Sequence, residues 1–395
     1  MAKINPNYKK LPQTYLFSEI ARKTKAFSEA NSGVEILRLG IGNTTLELVP
    51  EVIKGLKRAV EKLANVRTYS GYGDEQGDIR LRSELVNWYK KSGVALNEQE
   101  IFISDGAKPD AANISSIFDQ KSIVAIADPV YPVYLDANII GGKKIIFLEA
   151  DEKNNFIPKP PKQKVDLIFL CSPNNPTGAV ANKKDLLQFV NYAIKQKSVI
   201  IFDAAYSEYI TDNSLPKSIY QIPGAKKCAV ELQSFSKSAG FTGVRLGWTV
   251  VPKQLVVEGK GDVNRTWNRR QTTMFNGASN IAQEGGFAIL SSKGRKQTLK
   301  QVRYYMENAK LIKKGLESIG LKVTGGENAP YLWVKCPKGL TSWQFFDKLL
   351  TQAHVVSTPG VGFGKMGEGY LRFSSFGHRE NVMKAVESIK KYLKL

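Results

Sequence analysis

Histidine and cysteine are scarce in this chain of 395 residues, which has two of the first and three of the second. His354 and His378 lie far in sequence from any candidate nucleophile, and no G-x-S-x-G occurs, so a Ser-His-Asp hydrolase is not indicated. Cys171, Cys228 and Cys336 have no C-x-x-C spacing, and two of them sit in apolar, strand-like runs where a thiol acts as a small hydrophobe. That argues against a zinc site or other metal and suits a reducing compartment. No apolar run approaches the ~18 residues needed to span a bilayer, and the opening MAKINPNYKK lacks the apolar stretch of a secretory signal. The expectation is a soluble, cytoplasmic protein without a membrane partner. Nucleotide signatures are missing too: there is no Walker-type G-x-x-x-x-G-K-[ST], and no G-x-G-x-x-G follows an early strand.

Acidic residues are also few. Lys and Arg number 57 against 36 Asp and Glu, a formal net charge of +21. Such a surplus suits nucleic acid, an anionic membrane face or acidic substrates. Its lysine pairs, such as Lys9-Lys10, Lys143-Lys144, Lys313-Lys314 and Lys390-Lys391, are scattered from end to end, which describes a solvated basic surface. No helix-turn-helix extension, zinc finger or RNP-type sheet accompanies the charge, so no nucleic-acid partner is expected. DNA retention that falls steeply with salt would mark the contrary case. With 42% hydrophobic and 24% charged residues the chain is globular, and its length permits a large domain with a smaller one attached.

Between Ile101 and Val251, short apolar runs recur: IVAIA from Ile123, LIFLC from Leu167, VIIF from Val199 and CAVEL from Cys228. They read as buried parallel strands of an α/β sheet. Open α/β sheets place ligands beyond the carboxyl ends of their strands. Those ends are Asp128-Pro129, Ser172-Pro173-Asn174-Asn175, Asp203 and Gln233-Ser234, a polar, turn-forming edge. After about residue 295 the pattern changes to a long amphipathic stretch (Lys300 to Ile319), a strand-like YLWV, a helix from Ser342 to Thr351 and the YLRFS run, consistent with a smaller α+β domain. The first ~45 residues hold one helical run among Pro6, Pro12 and Gly42 and read as an arm.

One lysine, Lys237, stands in QSFSKSAGFTGVRLGW among Ser234, Ser236 and Ser238. A single lysine is usually a solvated charge. Here, however, Ser234, Ser236 and Arg245 offer donors and a cation to a phosphate ester, and a cationic neighbour helps depress a lysine pKa, as a Schiff-base amine requires. Asp203 ends the apolar run VIIFD, where an unpaired carboxylate is costly and needs a cationic partner. A protonated pyridine nitrogen is such a partner, and Tyr206 lies three residues on, placed to reach the ring's phenolate oxygen. Taken singly, Asp203 reads as a helix cap and Tyr206 as core; together with Lys237 they read as a cofactor site.

The segments GYGDEQG, DPVYPVY, CSPNNPTG, FDAAYSEY, SFSKSAGFTGVRLGW and YLRFS resemble, in order and spacing, the aspartate-aminotransferase-like fold-type I enzymes that use pyridoxal phosphate. Within that family YLFSEIARK, DGAK at Asp105 to Lys108 and TWNRRQTTMFNG resemble the LL-diaminopimelate aminotransferases. Asp74 departs from the proline usual in GYGPEQG, and Pro109 follows DGAK where cysteine is common; neither removes a functional group.

The resemblance implies a large domain (46–294) with a mostly parallel sheet flanked by helices, a small α+β domain (295–395) and an N-terminal arm (1–45). It implies that Lys237 holds pyridoxal 5'-phosphate covalently and then carries a proton. Asp203 would pair with the pyridinium, Tyr206 and Asn175 would reach the ring oxygen, and Tyr131 would stack on the ring. Ser234, Ser236, Arg245 and the backbone at Ala107 and Lys108 would hold the phosphate, with Tyr72 reaching in from the partner of a homodimer. Arg372 would clamp the substrate α-carboxylate. Tyr15, Gly42, Lys108, Glu75 and Asn276 would read the distal end of the substrate, the last two across the dimer interface, Asn276 also touching the cofactor. Amino acids and 2-oxo acids would be the small-molecule partners. Aspartate, aromatic amino acids or alanine are the alternative substrates of the same chemistry.

Overall fold

The computed structural model describes residues 1–12, 16–40, 42–257 and 261–395. Its larger sheet contains β1 (Ile101–Ser104), β2 (Ile123–Asp128), β3 (Lys144–Glu149), β4 (Leu167–Cys171), β5 (Val199–Asp203), β6 (Ala229–Ser234) and β7 (Gly247–Val250). The spatial order is β1-β7-β6-β5-β4-β2-β3. Pairings among β2 to β6 are parallel, and β7 runs antiparallel to both neighbours. The apolar runs are continuous because these strands are covered on both faces. Leu167, Phe169, Val199 and Ile201 enter one apolar cluster, while Ile168, Leu170, Ile200 and Phe202 enter the other.

Helices supply the cover. In chain order they are α1 (Leu16–Ala30), α2 (Pro50–Leu63), α3 (Ile79–Lys90), α4 (Ala107–Asn113), α5 (Val133–Ile140) and α6 (Lys183–Gln196). There follow α7 (Phe235–Ser238), α8 (Val263–Met274), α9 (Asn280–Leu290), α10 (Ser292–Glu317), α11 (Ser342–Ala353) and α12 (Arg379–Tyr392). Residues of α2, α3, α6 and α9 fill one side of the sheet; those of α4, α5 and α8 fill the other. In α6, for example, Asn182 and Asp185 form a capping box, and Leu186, Phe189, Val190 and Ala193 make a buried i, i+3, i+4, i+7 stripe. No helix is long and apolar enough to cross a membrane, and no cluster of His, Cys, Asp or Glu suits a metal, among the described residues.

A second, antiparallel sheet has the order β8-β9-β11-β10, with β8 (Val323–Gly325), β9 (Tyr331–Lys335), β10 (Thr358–Pro359) and β11 (Tyr370–Ser374). Leu332 and Phe373 share their core with Leu16 and Ile20 of α1 and with residues of α10, α11 and α12. The helix read from Lys300 begins earlier, at Ser292, because Ser291 accepts a hydrogen bond from the Gly294 amide and caps it. A division between residues 294 and 295 therefore falls inside α10. Near the N-terminus, Asn5 and Asn7 donate to the Ile140 carbonyl at the end of α5.

Glu152, just after β3, joins the two sheets. It receives Tyr370 Oη at 2.9 Å and pairs with Lys335 at 3.0 Å and Lys322 at 3.1 Å. Partial burial works to raise its pKa, but hydrogen bonds from Lys335, Tyr370 and Lys322 more than offset this and hold it at about 2. A carboxyl depressed in the folded state stabilises above its unfolded pKa and loses that contribution as pH falls toward the folded value. Glu152→Gln should therefore cost about 1 kcal/mol at neutral pH, a figure kept small by solvent screening. Thermal melts of the two proteins should converge as pH drops from about 4.5 toward 2; a gap that stays constant over that range would refute the assignment.

Candidate active site

The carboxyl ends of the parallel strands and the start of α4 meet the second sheet at one cleft. Its floor is Asp203, the last residue of β5, which is buried at 7% exposure. Expected to need a cationic partner, this carboxylate has none within ion-pair distance among the described residues. Neutral donors meet both oxygens instead: Tyr134 Oη lies 2.5 Å from Oδ2 and the Ala205 amide 2.9 Å from Oδ1. Burial pushes the Asp203 pKa up, and these two donors work against the shift.

Lys237 rises from α7, a single turn started by the Ser234 hydroxyl, which accepts from the Ser236 amide at 3.0 Å. Tyr209 Oη donates to the Lys237 carbonyl at 2.8 Å and fixes the turn from the opposite side. The amine itself donates to the Gly42 carbonyl and stands 5.7 Å from the centre of the Phe376 ring. Burial first, then the positive charges of Arg372 and Arg245, lower its pKa to about 8. An amine that is half neutral at that pH is a usable nucleophile and base, which an ordinary lysine is not.

Beside it, Arg245 donates to Ser236 Oγ at 3.2 Å. Arg245 is held in the left-handed region at φ +69°, a strained conformation for a residue with a side chain. Gly106, at φ +120°, leaves the room this guanidinium needs: a Cβ there would stand 2.7 Å from Arg245 Nη2. Ala107, Lys108, Ser234 and Ser236 border the same corner of the cleft.

On the opposite wall Arg372 of β11 is 1% exposed and lies between the rings of Tyr331 and Phe363, 4.7 and 4.8 Å from their centres. Its Nη1 donates to Asn175 Oδ1 at 2.8 Å and its Nη2 to the Gly40 carbonyl at 3.0 Å. Nε has no partner among the described residues. Asn175 in turn donates to Tyr206 Oη at 3.4 Å, and Tyr206 and Tyr331 share a hydrogen bond of 3.0 Å. Gly178, at φ +69°, lets the SPNNPTG turn abut β9, since a Cβ there would meet the Tyr331 carbonyl at 2.4 Å.

Of the residues singled out in the sequence, the fold gathers Gly42, Ala107, Lys108, Tyr131, Asn175, Asp203, Tyr206, Ser234, Ser236, Lys237, Arg245 and Arg372 around this cleft. Tyr131 is half-buried, with Lys108 Nζ 5.9 Å from its ring centre. Tyr15 lies outside the described residues. Tyr72, Glu75 and Asn276 do not join the cleft of their own chain. Tyr72 is 88% exposed, and its loop is pinned to α9 by Asn280, which donates to the Gly71 carbonyl. Asn276 is exposed, and the adjoining Gly277 packs against Asp74 and Glu75. The three thus belong to one contiguous outer face. Tyr134, Tyr331 and Phe17 line the cleft without having been anticipated. DPVYPVY carried a signal for Tyr134, a second tyrosine three residues after Tyr131.

This fold and this site define the chain as an aminotransferase: it belongs to the class I and II aminotransferase family, whose model matches residues 34–389. It is 48% identical to the LL-diaminopimelate aminotransferase of Phocaeicola vulgatus, with the whole of both chains covered. Among solved structures, the L,L-diaminopimelate aminotransferase from Chlamydomonas reinhardtii matches with a TM-score of 0.94 and 44% identity, covering 99% of this chain and 98% of that one. Substrate-bound BacF from Bacillus subtilis matches at 0.87 and 27%, with the same coverage.

Proposed function

We propose that the chain is a pyridoxal 5'-phosphate-dependent LL-diaminopimelate aminotransferase. Glutamate would give its amino group to tetrahydrodipicolinate opened by water, yielding LL-2,6-diaminopimelate and 2-oxoglutarate, a step toward lysine and peptidoglycan precursors. The observation that carries the chemistry is the convergence of three groups in one cleft: a buried carboxylate with no cationic partner among the described residues, a lysine with a lowered pKa, and a buried arginine. The substrate rests on full-length similarity to diaminopimelate aminotransferases.

The donor set fits the cofactor. Asp203 offers its charge to a ring nitrogen, Tyr206 and Asn175 offer donors to a ring oxygen, and Ser236, Arg245 and the Ala107 turn offer donors to a phosphate. When bound, pyridoxal phosphate supplies an electron sink for charge developing at the substrate α-carbon. The protein's own part is positioning and proton transfer. Arg372, packed against the rings of Tyr331 and Phe363, would orient the α-carboxylate through its planar fork. Lys237 Nζ, neutral in an appreciable fraction near its pKa of about 8, would take the substrate α-proton and return it to the carbon on the far side of the transferred nitrogen.

A homodimer completes the reading. Tyr72 borders a surface hollow together with the exposed apolar side chains of Leu63 and Ile79, and Gly277, next to Asn276, packs against Glu75. An apolar face of that kind suits burial against a second copy, whose cleft would receive the three polar residues. Cytoplasmic residence suits three cysteines that are all free. The substrate is tested by assaying diaminopimelate, aspartate, aromatic and alanine donors side by side with 2-oxoglutarate. Diaminopimelate should lead in kcat/KM by at least about 100-fold; a faster aspartate or aromatic donor would assign the enzyme to another branch of the family.

A further inference from the structure

Tyr134 is buried at 1% exposure, and its hydroxyl lies 2.5 Å from Asp203 Oδ2. Its ring is fixed by stacking on Phe169, 5.4 Å between centres at 25°, and its carbonyl by Asn138 Nδ2 at 2.7 Å. A phenol has one proton to donate, and this one is committed to the carboxylate. Oδ1 has the Ala205 amide. Remove the hydroxyl and Oδ2 has no protein donor among the described residues, which leaves a buried carboxylate with half its support. Such a group tends to take up a proton, and a protonated carboxyl cannot pair with a cationic ring nitrogen.

We propose that Tyr134 is a positioning residue for Asp203: its hydroxyl fixes the carboxylate's orientation and keeps it ionised toward the cleft. The inference deepens the pyridoxal phosphate reading and rests on it. The titratable groups facing Asp203 are Tyr131 from the turn before α5, Tyr134 from α5, Cys171 from β4 and Tyr206 from the turn after β5. Burial raises the pKa of all four, so all are neutral at pH 7 and none competes for the role of anion.

The experiment compares full-length wild type, Tyr134→Phe, Asp203→Asn and the double variant, with apoprotein melts to verify folding. The first readout is the dissociation constant for pyridoxal phosphate added to apoprotein. Tyr134→Phe should weaken it roughly 10- to 100-fold, the worth of one hydrogen bond to a charge. Asp203→Asn should weaken it at least as much, and adding Tyr134→Phe to Asp203→Asn should change it by less than about threefold. The second readout is the acidic limb of the kcat/KM profile of the holoenzyme. It should move upward by about one pH unit in Tyr134→Phe, because losing the donor makes Asp203 harder to ionise. Phe169→Leu loosens the ring packing but keeps the hydroxyl, and should leave that limb in place. Wild-type affinity and an unmoved limb in Tyr134→Phe, or the same shift in Phe169→Leu, would overturn the inference. Wild-type affinity in Asp203→Asn would overturn the cofactor reading beneath it.

Discussion

Lys237→Ala should lower the turnover number for amino transfer by about 10⁴-fold or more while leaving the melting temperature within a few degrees of wild type. The magnitude follows from losing a nucleophile and a general base at once, since proton transfer by a placed side chain alone contributes about 10²–10⁴-fold. Stability should be nearly unchanged because the turn is held by backbone contacts that alanine keeps: Tyr209 to the carbonyl of residue 237 and Ser234 to the Ser236 amide. Removing the amine also relieves its burial beside the positive charges of Arg372 and Arg245. The same geometry fixes the pH behaviour of wild type. With a pKa of about 8, the neutral fraction of the amine rises roughly tenfold between pH 7 and pH 9. The rate at which apoprotein captures the cofactor aldehyde should rise in parallel, as stopped-flow absorbance will measure. A flat rate across that range would mean that the amine is not the titrating group.

Arg372→Ala should cut kcat/KM for amino-acid substrates by about 10²–10³-fold, the usual cost of truncating one partner of a buried charge pair. Unlike Lys237→Ala it should also destabilise the protein, by about 2–4 kcal/mol. The guanidinium fills the space between Tyr331 and Phe363 and supplies hydrogen bonds to Asn175 and Gly40; the Gly40 carbonyl would keep Thr358 Oγ1 as a donor, whereas Asn175 Oδ1 would lose the arginine's. Arg372→Lys keeps the charge and loses the fork, so it should recover stability better than substrate affinity. A linked effect separates this account from simple unfolding. Arg372 is one of the two cations depressing Lys237, so Arg372→Ala should raise the Lys237 pKa above about 8 and shift the pH dependence of cofactor capture upward. If Arg372→Ala shows no change in kcat/KM, the arginine is a structural core residue and the carboxylate is bound elsewhere.

Much of this site was legible before any coordinates because it is assembled from strand ends. A strand buried on both faces announces itself as an unbroken apolar run, and its first polar residue marks the edge where ligands bind. Asp203 after VIIF, Asn175 after LIFLC and Lys237 after CAVEL were found in that way. Contacts between distant segments carried no such mark. Tyr134 and Asp203 are 69 residues apart in sequence and meet because β2 and β5 flank β4. Nothing local says that a tyrosine, and not a cation, supports the aspartate. Tyr331 was visible only as the start of an apolar strand, although its ring and hydroxyl join Arg372 to Tyr206. The antiparallel position of β7 between β1 and β6 also had no signature, since GWTV is too short for its periodicity to tell direction. Glu75 and Asn276 illustrate another limit. Motif resemblance placed them at a substrate, whereas within one chain neither lines the cleft, so that reading rests on the proposed homodimer.

The most direct test of the central claim is covalent. Holoprotein reconstituted with pyridoxal phosphate should be reduced with borohydride, digested and mapped by mass spectrometry. The account predicts a single phosphopyridoxyl adduct on the side-chain nitrogen of Lys237. An adduct on another lysine, or none at all in protein that transfers amino groups, would contradict it.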